Sequence, residues 1–168
     1  MRKTRALSRR TGLILAAFLV LAGGAGWADS LEELSQQSPA PELSPEEVVR
    51  IQMEAFRNND EEDRGIAIAF RFASPSNKQM TGPLSRFRMM MRNPLYRPML
   101  DAEAIEVGVI DVRERVARVE VSTVSPEGER SFYAFFLGRQ RGGEFADSWM
   151  TEAVEVIPDG AVAPGGSV

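Results

Sequence analysis

These 168 residues contain no cysteine and no histidine. The first absence leaves nothing to form a disulfide, a thiolate metal site or a lipid-modified thiol. The second removes the usual general base of neutral pH, every Ser-His or Cys-His nucleophile pair and the common zinc ligand sets. Neither a cofactor nor a metal site is therefore read from the sequence. Lysine is almost missing as well. Lys3 and Lys78 are the only two, and the other cations are arginine. Arginine suits phosphate recognition, but a GC-rich coding bias accounts for the replacement more simply.

Long apolar runs are equally scarce. Leu13 to Ala22 is one, preceded by MRKTRALSRR, which holds five cations and no acid. It is followed by Gly23-Gly24-Ala25-Gly26-Trp27-Ala28, which breaks a helix and places small residues at Gly26 and Ala28. A charged segment, an apolar segment and a small-residue site in that order predict a signal peptide over residues 1–28, cleaved after Ala28. A membrane-spanning helix needs roughly 20 apolar residues, and the glycines cut this run short. The expectation is no stable membrane anchor after cleavage and a periplasmic or secreted mature chain. Ser8-Arg9-Arg10-Thr11 resembles a twin-arginine export motif. Gly12 stands where that motif has a large apolar residue, and a general secretory signal explains the two arginines equally well.

Removing the signal changes the charge. The remaining chain has 15 arginines and lysines against 24 acids, a net −9. No basic surplus is left for a phosphate footprint, so no nucleic-acid partner is expected. With 43% hydrophobic and 26% charged residues, the composition is that of an ordinary globular domain, and its length suits one core.

Residues 29–44 (DSLEELSQQSPAPEL and Ser44) are polar with two prolines and read as a flexible leader. Ser44-Pro45-Glu46-Glu47 is a capping box with proline at the first helical position. Val48, Ile51, Ala55 and Phe56 follow at helical spacing, so an amphipathic helix is predicted from Pro45 to about Asn58. Gln52 lies inside that stripe, either as an amide at its edge or as a polar group facing a pocket. Asn58 to Gly65 is an acidic connection without the spacing of a calcium loop. Ile66 to Ala73 suits a short buried helix, whose Arg71 either snorkels to the surface or points into a cavity. Ser74 to Asn77 reads as a turn, and Gly82-Pro83 opens a helix that ends before Asn93-Pro94. Met89-Met90-Met91 reads as adaptable core filling rather than a lipid-like ligand surface. Leu95 to Leu100 reads as an ordered loop.

From Ile105 the period becomes two. Residues 105–112, 115–124, 130–140 and 148–157 are predicted as strands separated by glycine turns. The second strand alternates Ala117, Val119, Val121 and Thr123 with Arg118, Glu120 and Ser122. The third is apolar on both faces, which calls for helices on one side and a second subunit or a ligand on the other. Helices followed by an antiparallel sheet predict an α+β domain over residues 45–158, with N-terminal helices packed on a curved, mainly antiparallel sheet of about four strands. Residues 159–168 read as a disordered tail.

The segments EEVVRIQMEAFRNND, GIAIAFRFASPSNKQMTGPLSRF, NPLYRPML and SWMTEAV together resemble a bacterial and plant family, domain of unknown function 4864, over about Pro45 to Pro158. That family is in turn similar to the nuclear transport factor 2-like superfamily, a cone of helices enclosed by a curved sheet. The resemblance carries no catalytic residues. It does imply a cavity between sheet and helices, for which Gln52, Arg71, Asn77, Tyr96, Arg97, Tyr133, Trp149 and Thr151 are the candidate lining residues; a filled core with packing aromatics is the plainer alternative.

Three functions are then weighed. A non-catalytic binding or accessory module would hold a small apolar or anionic ligand, with Arg71 as anion anchor, and is favoured. An isomerase- or hydratase-like enzyme needs a buried carboxylate in the cone. Only Glu54, Glu106 and Glu152 qualify, and strand parity turns Glu152 away from the candidate pocket. A dimeric scaffold would pair through the sheet face, with Phe135 a test position for partner or core.

Overall fold

The computed structural model describes residues 30–158. The expected signal peptide, its cleavage after Ala28 and the expected tail at 159–168 lie outside the described residues. Five helices precede four strands: α1 Leu31–Ser35, α2 Pro45–Arg57, α3 Arg64–Arg71, α4 Pro75–Thr81 and α5 Leu84–Met91, then β1 Ala104–Arg113, β2 Val116–Val124, β3 Arg130–Arg139 and β4 Trp149–Ile157. A 3-10 turn at Arg97–Met99 joins the two halves. Among the described residues no helix is long and apolar enough to cross a membrane.

Serine caps open α1, α2 and α4. Ser44 Oγ accepts from Glu47 N at 3.2 Å while Glu47 accepts from Ser44 N at 2.7 Å, the reciprocal box that satisfies two otherwise orphaned donors. The same box recurs at Ser30 and Glu33 and nucleates α1. Residues 30–44, read above as a flexible leader, are therefore ordered and packed: Leu34 is fully buried in the core. Apolar burial at Leu34 outweighs the polar composition on which that reading rested. A second correction concerns Ser74 to Asn77, expected as a turn. Ser74 Oγ accepts from Asn77 N at 3.0 Å, and with Pro75 at the first position this opens α4 instead.

The strands form an antiparallel meander in the order β1-β2-β3-β4. In register, Val119 faces Phe135 and Phe135 faces Val154. The α+β architecture with helices on one face of a curved sheet is thus as the hydrophobic pattern predicts. Ala117, Val119, Val121 and Thr123 of β2 are buried under the helices. Phe135 also lies in that core, with 1% exposure. It is Phe132 and Phe136, both half-buried, that lie on the opposite face, where the Arg130 guanidinium sits 5.9 Å from the Phe132 ring centre.

Two junctions hold the helical layer together. Phe87 of α5 meets Phe70 of α3 at 4.9 Å and Phe56 of α2 at 6.5 Å between ring centres. At the α2–α3 connection Asp63 adopts a left-handed backbone, φ 61°, and its carboxylate takes a fork of two bonds from Arg92 at 2.7 and 3.0 Å. That guanidinium holds the Asp63 carboxyl below the usual carboxylate range.

Candidate functional site

A cavity of about 170 Å³ opens between α2, α4, α5 and the inner side of β3 and β4. Its walls are thioethers and rings: Met80, Met90, Met91, Met99, Phe56, Phe87 and Phe135. Methionine places a flexible, polarizable chain on an irregular surface. Met91 and Met99 are buried at the base, while Met80 is 76% exposed at the mouth.

The floor is a polar bridge between helix and sheet. Gln52 of α2 donates from Nε2 to the Ala69 carbonyl at 3.0 Å, which at the C-terminus of α3 also takes the Phe72 N–H at 3.1 Å. Its Oε1 accepts from Thr151 Oγ1 of β4 at 2.6 Å. Asn77 Nδ2 donates to the Thr151 carbonyl at 3.1 Å, and that carbonyl also takes Ser74 N at 2.9 Å. A parallel bridge between Ala73 and Thr151 completes the seam. Gln52, Asn77 and Thr151 are all buried, at 4%, 8% and 2% exposure. Buried polar groups of this kind are tolerable only when bonded.

Of the candidates read from the sequence, the fold brings Gln52, Asn77, Tyr96 and Thr151 together around this cavity. The other four stand elsewhere. Arg71 ends α3 and donates to the carbonyls of Ser35 and Gln37, pinning α1 rather than an anion. Arg97 is on the surface in an ion pair with Asp101 at 2.8 Å. Tyr133 is a core residue, fully buried, whose hydroxyl donates to the Leu95 carbonyl at 3.1 Å. Burial pushes its pKa up to about 12. Trp149 packs in the same core. Each was chosen for an amphipathic side chain on an apolar stretch, a pattern that a satisfied core residue shares.

Met80, Thr81, Met90, Met91 and Met99 line the cavity without having been chosen. The Ser74-Pro75 pair repeats the Ser44-Pro45 pattern and would have revealed α4, hence the wall it carries. Glu152 was turned away by strand parity, yet it lies on the rim. The register of β3 with β4 slips between Phe136 and Leu137, and such a bulge suspends alternation locally. Glu152 Oε2 accepts from Ser74 Oγ at 2.6 Å and Oε1 from Gln140 Nε2 at 3.0 Å. Gly138 gives it room, since a Cβ there would sit 2.8 Å from Oε1.

The family model described as Domain of unknown function (DUF4864) matches residues 40–163. The chain belongs to that family. No curated protein and no solved structure matches it. The DUF4864 span takes in every residue that lines the cavity and leaves α1 outside. The cavity therefore lies wholly within the matched stretch, whereas α1 lies before it.

Proposed function

We propose that this DUF4864 member is an exported, non-catalytic binding module that holds a small, largely apolar molecule in the cavity between helices and sheet. One observation carries the reading: a methionine- and phenylalanine-walled space of about 170 Å³ stands over a floor of polar groups that bond one another. A dry apolar cavity of ~150 Å³ accepts a molecule the size of benzene, so one ring or a short branched chain fits. The expectation of an apolar or anionic ligand narrows to its apolar half, because Arg71 and Arg97 bond elsewhere. The order of elements, helices first and then an antiparallel sheet with a cavity between, also supports kinship with the nuclear transport factor 2-like superfamily as part of this proposal.

The enzyme alternative needs a free inward carboxylate. Glu106 lies on the exposed sheet face with Arg130, Glu54 is beside Arg57 on α2, and both oxygens of Glu152 accept hydrogen bonds. Self-association through the outer sheet face is a second reading, favoured by the half-buried Phe132 and Phe136. Sedimentation that finds a monomer at high micromolar concentration would remove it.

The cavity is tested with toluene, followed by amide NMR shifts in the chain beginning at Asp29. Burying on the order of 150–200 Å² at ~25 cal/mol/Å² corresponds to a millimolar-range affinity. The amides of Gln52, Asn77 and Thr151 are expected to shift together and saturate. Unmoved amides at saturating toluene would sink the binding reading. For export, N-terminal sequencing of the protein recovered outside the cytoplasm is expected to begin at Asp29. A chain found only inside the cell with residues 1–28 attached would refute that part.

A further inference from the structure

We infer that the occupant of the cavity is an uncharged molecule bearing a hydrogen-bond donor, of the phenol or aromatic N–H type, and that it places that donor on Asn77 Oδ1. The inference rests on the binding reading above and follows from accounting for each polar side chain on the lining. Gln52 is spent at both ends, on Ala69 and Thr151. The Thr81 hydroxyl donates to the Asn77 carbonyl at 2.9 Å. Glu152 is spent on Ser74 and Gln140.

Asn77 is different. A backbone carbonyl only accepts, so the 3.1 Å contact with Thr151 O assigns that end of the amide as Nδ2. The other end is then the oxygen, and among the described residues no protein group donates to it. The residue is 8% exposed and lines the cavity, but Oδ1 is not among the sealed polar atoms that lack a partner; water can reach it, and an occupant that displaces that water has to supply the donor. The Tyr96 hydroxyl, also on the lining, likewise makes no protein hydrogen bond among the described residues. At Asn77 the unfilled requirement is thus a donor, which the Tyr96 hydroxyl can complement by donating or accepting, offered from a body that matches thioether and ring walls.

Charge selects further. Among the described residues the one acidic side chain at the cavity is Glu152 on its rim, and no arginine or lysine lines it. A carboxylate or phosphate would leave water to meet a like charge with no counter-ion. Arg71 is held at the end of α1, Arg92 by the buried Asp63 and Arg97 by Asp101 at the surface, all away from the lining.

The test is a ladder of probes of one size: phenol, anisole, toluene, benzoate and benzylammonium, titrated against the chain from Asp29 with amide NMR. Phenol is expected to bind roughly tenfold tighter than toluene or anisole, the effect of one satisfied buried acceptor, and benzoate at least tenfold weaker than toluene. In Asn77→Leu the advantage of phenol disappears while toluene binding persists. Should that variant lose its fold with the Thr151 bond, Tyr96→Phe serves instead, and there phenol keeps most of its advantage. Phenol binding no better than toluene overturns the donor inference and leaves the apolar cavity standing. Benzoate or benzylammonium binding tightest overturns the uncharged class. If no probe binds, the failure is of the cavity reading itself.

Discussion

Tyr133 shows how one side chain can be misread in sequence and still carry a consequence. Its ring is fully buried on the inner face of β3, and burial raises its pKa from 10.0 to about 12, against a smaller pull downward from Ser131 and with a still smaller push upward from Tyr96. The folded state holds the phenol proton where the unfolded chain has released it. Stability from this group is complete below about pH 10 and is lost as pH rises toward 12, since above pH 10 the unfolded state binds fewer protons. A shift of two units corresponds to a loss on the order of 2–3 kcal/mol across that window. Lys78, whose pKa is lowered by burial, acts with the opposite sign, so the informative comparison is with a variant. Tyr133→Phe is expected to lose about 1 kcal/mol at pH 8 for the missing bond to Leu95, and to show a shallower fall of the urea midpoint between pH 10 and 12. Parallel curves for the two proteins would contradict this. At the same scale, Arg71 explains why the anion anchor was illegible. Its acceptors lie 34 and 36 residues earlier, at and just beyond the end of a helix that local composition hid.

Among the elements, the contact of α2 with α3 is the least forgiving. Gly65 sits where a Cβ would come within 2.0 Å of the Ala55 carbonyl oxygen and 2.8 Å of the Asn59 Cα. Both obstacles are backbone, so the helices must separate to admit a methyl group. Gly65→Ala is expected to destabilise the domain by about 3 kcal/mol or more, well above the usual effect of a surface change. A urea midpoint equal to that of the parent would refute the packing. Elements with a repeating pattern were legible from sequence: the capping box and apolar stripe of α2, and the alternation of β2. What escaped was short. Leu31–Ser35 and Pro75–Thr81 are five and seven residues long, too brief for periodicity, though Ser30-Leu31-Glu32-Glu33 and Ser74-Pro75 carry cap chemistry already recognised at Ser44. The site suffered from the same gap. Gln52, Asn77, Tyr96 and Thr151 are polar groups placed on a cavity that the family resemblance implies, whereas Met80 depends on α4 being a helix and Glu152 on the bulge in β4; Met90 and Met91, read as core filling, line the cavity from α5.

At the scale of the whole molecule, the segment before the family match supports the fold without lining the cavity. The DUF4864 match starts at residue 40, and the cavity is built from residues between Gln52 and Val154. Residues 30–39 lie before it, yet they close the core through fully buried Leu34 and hold the Arg71 guanidinium with the Ser35 and Gln37 carbonyls. Burial of one leucine contributes about 1.5–3 kcal/mol, and the bonds to a charged donor add to it. A chain starting at residue 40 is therefore expected to fold but to lose about 2–4 kcal/mol, with a melting temperature lower by roughly 5–15 °C than the chain from Asp29. Arg71→Ala in the longer chain should reproduce part of that loss in stability and make the segment from Gln36 to Leu43 open to proteolysis. Because no lining residue is removed, toluene should still perturb Gln52, Asn77 and Thr151 in the short chain. Equal melting temperatures would mean that Leu34 and Arg71 hold nothing together. Lost toluene binding in a folded short chain would mean that the strap shapes the cavity as well as the core.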